Sequence, residues 1–158
     1  MNNWFISNRE LIKNLSVNTG TTEDPVYTPI CTTSEVQVNT DLESKDFYVF
    51  CDALQRKLIT GATVMLSGTL KIDVNNDGDI AILDKVHTLI GDGEVSQFSR
   101  VGIQFDLLSG AEGGVLEYTT YQANVSLSVS DLGGAAEDES EFSFEMQLIG
   151  TATEVTSA

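Results

Sequence analysis

The stretch E-F-S-F-E-M-Q-L, residues 141–148, alternates without a break. Phe142, Phe144, Met146 and Leu148 fall on one side, and Glu141, Ser143, Glu145 and Gln147 on the other. A period of two is the mark of a β-strand with one face buried and one wet, because successive side chains point to opposite faces. The same period recurs at Val125, Leu127 and Val129 against Ser126, Ser128 and Ser130. It recurs again at Val64, Leu66, Leu70 and Ile72 against Thr63, Ser67, Thr69 and Lys71, and at Ser34, Val36 and Val38 against Thr33, Glu35 and Gln37. SRVGIQFDLLS, residues 99–109, reads as a further strand. The expected architecture is mainly β, an antiparallel sandwich or partial barrel.

One segment departs from that period. In DIAILDKVHTLIGDG the apolar residues Ile82, Leu83, Val86, Leu89 and Ile90 form a helical stripe, so one flanking helix is expected over about residues 79–91, ended by Gly91 or Gly93. A short helix is also expected within residues 1–16, with Trp4, Phe5, Leu11, Ile12 and Leu15 as its apolar contacts. SVNTGTTEDPVYTP follows with a glycine and both prolines and reads as an extended arm or loop. The chain therefore divides into an arm, 1–27, and a single β domain, 28–158. DFYVFCDALQRKLITG admits two readings, a strand running into a bend or a short helix through Ala53–Lys57.

DVNNDGDIAILD, residues 73–84, spells a calcium loop: Asp73, Asn75 and Asp77 stand at positions 1, 3 and 5, Gly78 at the turn, Ile80 at position 8 and Asp84 at 12. The phrase and its Asp84 resemble dockerin modules, which makes a calcium-dependent interaction module the alternative reading. The surroundings favour a turn. No second loop lies nearby, and the preceding VMLSGTLKI reads as a strand, not an entering helix. Strand, Asn-Asp-Gly turn and helix start account for every residue without metal. No cofactor is expected, calcium being the one candidate.

Nothing in the chain spells an enzyme. His87 is the sole histidine and has no nucleophile motif beside it. Cys31 and Cys51 lack metal-ligand spacing and read as small buried hydrophobes. No glycine-rich phosphate loop follows a strand. No apolar run approaches the roughly 20 residues of a membrane span, and the N-terminus has no signal-peptide core, so folding in a reducing cytoplasm is expected.

Charge is the outlier. The 158 residues carry a net −16, and the imbalance is concentrated: residues 91–158 hold 12 acidic side chains and one basic one, Arg100. Such a surface repels nucleic acid and anionic membranes.

From TTSEVQVNTDLESKDFYVFCDALQRKLITGATVMLSGTLKIDV onward, the order of features resembles the tail tube (major tail) proteins of long-tailed bacteriophages. An extended strand, a polar ESKD break, an aromatic-rich stretch and a long hairpin are followed by the helix, the later strands and a short IGTATEV end. The resemblance covers roughly residues 28–157. It implies a structural subunit of the virion, assembled in the host cytoplasm, that polymerises with itself into stacked, hexameric rings whose sheets join into a shared barrel. It also implies an acidic lumen through which DNA passes without specific binding, and contacts with tape measure, tail terminator and baseplate proteins. The residues suggest how those roles are shared. Glu141 and Glu145, opposite the apolar side of their strand, are expected to line the lumen with Glu117. Segments 17–30 and 41–62, which interrupt the sandwich pattern, are expected to make inter-subunit contacts through Tyr27, Phe47, Tyr48 and Phe50.

Overall fold

The computed structural model describes residues 5–30, 33–47 and 56–155. In chain order the elements are α1 (Asn8–Leu11), β1 (Ile12–Asn18), β2 (Tyr27–Pro29), β3 (Thr33–Phe47), β4 (Arg56–Lys71), α2 (Asp77–Asp92), α3 (Ser96–Ser99), β5 (Val101–Glu112), β6 (Val115–Ser130), β7 (Glu141–Leu148) and β8 (Thr153–Val155). All eight strands join one antiparallel sheet in the order β2-β1-β5-β6-β7-β4-β3, with β8 pairing β6. The sheet is not closed.

Alternation decides which face is dry. Phe142, Phe144 and Met146 of β7 are buried, and their cross-strand partners on β4 are Leu70, Gly68 and Leu66. On the other side Phe144 and Met146 face Val129 and Leu127 of β6. Ile103 and Phe105 of β5 and Leu15 and Val17 of β1 extend the same layer, and Ile82 of α2 caps it. The sheet curls around this core. Val36 and Val38 near one edge and Ile12 near the other both pack against it, which is the partial-barrel arrangement.

Burial at this scale stabilises by about 25 cal/mol per Å² of apolar surface, so the strands are held by a shared face rather than by local propensity.

β3 and β4 form a long hairpin, paired from Thr33↔Leu70 out to Phe47↔Arg56, and ESKD, expected as a polar break, lies within β3. Arg56 and Lys57 are strand residues, so the short-helix reading fails there; Ala53–Gln55, Tyr48, Phe50, Cys31 and Cys51 lie outside the described residues.

The N-terminal helix is corrected. Among the described residues of that stretch only Asn8–Leu11 is helical, and residues 12–18 are strand β1, paired with β5 on one side and β2 on the other; Trp4 lies outside the described residues. The SVNTGTTEDPVYTP stretch is thus largely a β1–β2 hairpin, with Val17 and, just after it, Ile30 in the core. A bulge between Lys13 and Ser16, with Asn14 at φ 56°, is the reason the strand period was hidden. The closing region holds four strands instead of three, since Gly150 at φ 76° breaks β7 from β8.

Candidate functional site

The face opposite the core is almost wholly polar, and it forms in register across four strands. Glu145 lies between Ser67 of β4 and Ser128 of β6, and Gln37 of β3 continues the row beyond Ser67. Ser143 lies between Thr69 and Ser130, with Glu35 continuing that row, and Gln147 lies between Met65 and Ser126. Adjacent strands are about 4.8 Å apart, so, Met65 apart, these rows are bands of hydroxyl, amide and carboxylate groups. Gln37 Nε2 donates to Glu35 Oε1 at 2.6 Å, and Asn39 Nδ2 to the Ser67 hydroxyl at 3.4 Å. Toward β5 the band continues with Gln122 donating to Gln104 at 2.9 Å and Asn14 donating to Asp106 at 2.8 Å.

Two lysines on this face, Lys71 and Lys13, are engaged, while Lys45 of β3 falls on it by the same alternation and is exposed. Lys71 stands opposite Glu141 and pairs with Glu139 at 3.0 Å. The hydrogen bond that Lys71 donates to Glu139, then the charge of Glu139 and that of Glu141, hold the Lys71 ammonium above its ordinary pKa. Lys13 lies over the Tyr118 ring, 4.8 Å from its centroid. Glu145 has only hydroxyl-bearing neighbours directly across the sheet. The face therefore combines neutral hydroxyl and amide groups with exposed carboxylates.

Of the acidic residues expected to act together, Glu141 and Glu145 share this face and are exposed. Glu117 is also exposed but lies on the opposite side of β6, in line with Tyr121, Ala123 and Val125. The structure does not bring it to the other two. Of the expected contact residues, Tyr27 opens β2 and is half-buried, and Phe47 ends β3 opposite Arg56. Sequence reasoning missed the hydroxyl and amide rows themselves; the signal was Ser126-Ser128-Ser130 beside Ser143 and Glu145.

The calcium-like stretch is a strand–turn–helix. β4 leads into it, and helix α2 begins at Asp77 with Asn76 as its N-cap, whose side chain accepts from the Gly78 and Asp79 backbone N–H groups. Asp73 Oδ1 accepts from Asn75 N at 2.9 Å, and buried Asp79 accepts from Asp73 N at 3.0 Å. Gly78 is required because a Cβ there would meet Pro29 O at 2.7 Å. Among the described residues, no three His, Cys, Asp or Glu side chains are placed to hold a metal. Gly93, at φ 68°, ends the helix by donating to Leu89 O, and His87 is exposed on it. Among the described residues no helix is long and apolar enough to cross a membrane.

The described residues form an open antiparallel sheet with a long β3–β4 hairpin and one substantial helix, α2, a fold shared with solved tail and tube chains. The chain is similar over 92% of its length to the SPP1 tail tube protein, covering 76% of that chain at TM-score 0.60 and 12% identity. It is similar over 96% of its length to a tail protein of an empty gene transfer agent particle described with helical, C6 symmetry, covering all of that chain at TM-score 0.58 and 15% identity. A chain of an extracellular contractile injection system sheath–tube complex is also similar, at TM-score 0.50 and 11% identity over 96% of this chain and 93% of that one. No family model matches the chain, and no curated protein matches it in sequence. The resemblance expected from the sequence thus holds at the level of fold.

Proposed function

We propose that this chain is the structural subunit of a phage-like tail tube, a virion component without enzymatic activity that polymerises into stacked hexameric rings. The observation that supports the reading is the match of its fold, over 92% and 96% of its length, to tail and tube chains, one of them described with C6 symmetry. In the proposed assembly the polar face of β3, β4, β7 and β6 lines the lumen, with Glu141 and Glu145 on its wall. Fixed carboxylates among uncharged hydroxyls repel phosphate, and Lys71 is held by Glu139, so DNA slides without adhering. Open strand edges at β3 and β2 supply the surface through which neighbouring sheets continue into a shared barrel. The β1–β2 and β3–β4 hairpins, carrying Tyr27 and Phe47, take part in contacts between copies. Tape measure, terminator and baseplate proteins are the expected partners. Assembly requires no metal.

Electron microscopy of the purified protein at rising concentration tests this. Rings or tubes of uniform diameter are expected, unchanged by a chelator. A monomer that persists at every concentration and salt would overturn the reading.

A further inference from the structure

Two of the apolar surfaces left uncovered among the described residues lie at opposite ends of the long strands. The first is a groove of about 400 Å³ bounded by Val86 and Leu89 of α2, Val95 and Phe98 around α3, and Leu127 and Leu132 at the end of β6. Val95 is 69% exposed and Leu132 45%, and Ile90 beside them is 78% exposed. The groove also borders an open strand edge. β5 begins at Val101 opposite Val125, so Ser126–Ser130 have a strand neighbour, β7, on one side only. Helix α3 packs beside this end of β6 without pairing with it as a strand, and an edge without a strand partner takes up an extended segment.

The second surface is the segment before β1. Phe5 is 86% exposed, Ile6 and Leu11 are 40% exposed, and Ser7 is extended at φ −80°, ψ 159°. This segment is tied to the far end of the sheet, where Tyr118 Oη donates to Glu10 O at 2.6 Å. From Tyr118 to Val129 the strand runs about 36 Å at the rise of a β-strand. From Glu10 back to Phe5 the chain spans at most about 18 Å when fully extended. A copy therefore cannot fill its own groove. Asp92, Glu94 and Asp131 are exposed around the groove, and the segment presents exposed Arg9 beside half-buried Glu10.

We infer that the segment around Phe5 and Ile6 of one copy lies in this groove on a second copy, its side chains against Leu89, Val95 and Phe98 and its backbone along the free edge of β6. The contact is heterologous, so it repeats from copy to copy along the strand direction instead of closing a dimer. Its use in joining successive copies of a tube rests on the tube reading; the contact itself does not.

Full-length protein carrying Phe5→p-benzoylphenylalanine, mixed in equal parts as ¹⁵N-labelled and unlabelled chains, tests it by photo-crosslinking and peptide mapping. Crosslinks in isotopically mixed pairs are expected from position 5 to α2, α3 or residues 127–132. They should fall at least tenfold with Val95→Asp plus Leu132→Asp and stay unchanged with Ile149→Asp, an exposed apolar residue elsewhere. No crosslink, crosslinks only within one chain, crosslinks mapping elsewhere, or indifference to the double change would each overturn the inference. Tubes without this crosslink would remove the inference and leave the tube reading; the crosslink without tubes would do the reverse.

Discussion

Two adjacent residues of β7 should differ in their effect on stability by several kcal/mol. Phe144 is 1% exposed and sits between Gly68 on β4 and Val129 on β6. Its ring fills the space above Gly68, where even a methyl group would come within 3.0 Å of Phe144 Cζ. Burying an aromatic side chain removes about 150–250 Å² from water, worth about 4–6 kcal/mol at 25 cal/mol per Å² as an upper figure. Measured phenylalanine truncations cost about 3–5 kcal/mol, since the cavity left behind collapses only in part. Phe144→Ala should therefore lose about 3–5 kcal/mol of a total near 5–15. Glu145→Ala, one residue further on the wet face, should change stability by less than about 0.5 kcal/mol. Equilibrium urea unfolding followed by circular dichroism measures both. In a thermal melt, the first change should lower Tm by roughly 6–20 °C. Equal costs within about 1 kcal/mol would show that the two residues do not lie on opposite faces, and the assignment of core and polar face would fail with them.

Asn76→Ala removes the side chain that accepts from Gly78 and Asp79 at the start of α2 and should cost about 1 kcal/mol in the same unfolding assay, with or without calcium present. Lys85 is held below its ordinary pKa by burial, so the native state releases its proton before the unfolded chain does. Stability should rise with pH between that lowered value and the ordinary 10.5, and Lys85→Met should flatten the rise in urea midpoints across that window. Glu141→Lys with Glu145→Lys should leave assembly intact while making tubes retain DNA at low salt, with release as salt is raised; pull-down of DNA with sedimented tubes reads it, and salt-independent behaviour identical to the parent would remove these residues from the lumen.

Most of the strands were legible because their two faces meet different surroundings. Phe142-Phe144-Met146 against Glu141-Ser143-Glu145 can be placed only one way on a half-buried sheet. Strand β1 was not legible, for a local reason. The bulge at Asn14 inserts a residue, so Leu11, Ile12 and Leu15 fall at spacings of one and three, as they would on a helix. The joint assignment of Glu141, Glu145 and Glu117 reached two residues of one face but not the third. Glu117 lies an even number of residues from Val125 on an unbroken strand, and so lies on the Val125 side. The groove beside α2 could not be read at all, because it depends on β5 starting opposite Val125 and leaving the end of β6 without a neighbour, a matter of register between distant segments.

The most direct measurement of the central claim is a helical reconstruction of the protein assembled at high concentration. The expected result is a hollow tube of sixfold rings in which the strands of β3, β4, β6 and β7 form the inner wall and the Glu141 and Glu145 carboxylates point into the lumen. A particle that is not tubular, or a tube with these side chains on its outer surface and the α2 side facing inward, would contradict it.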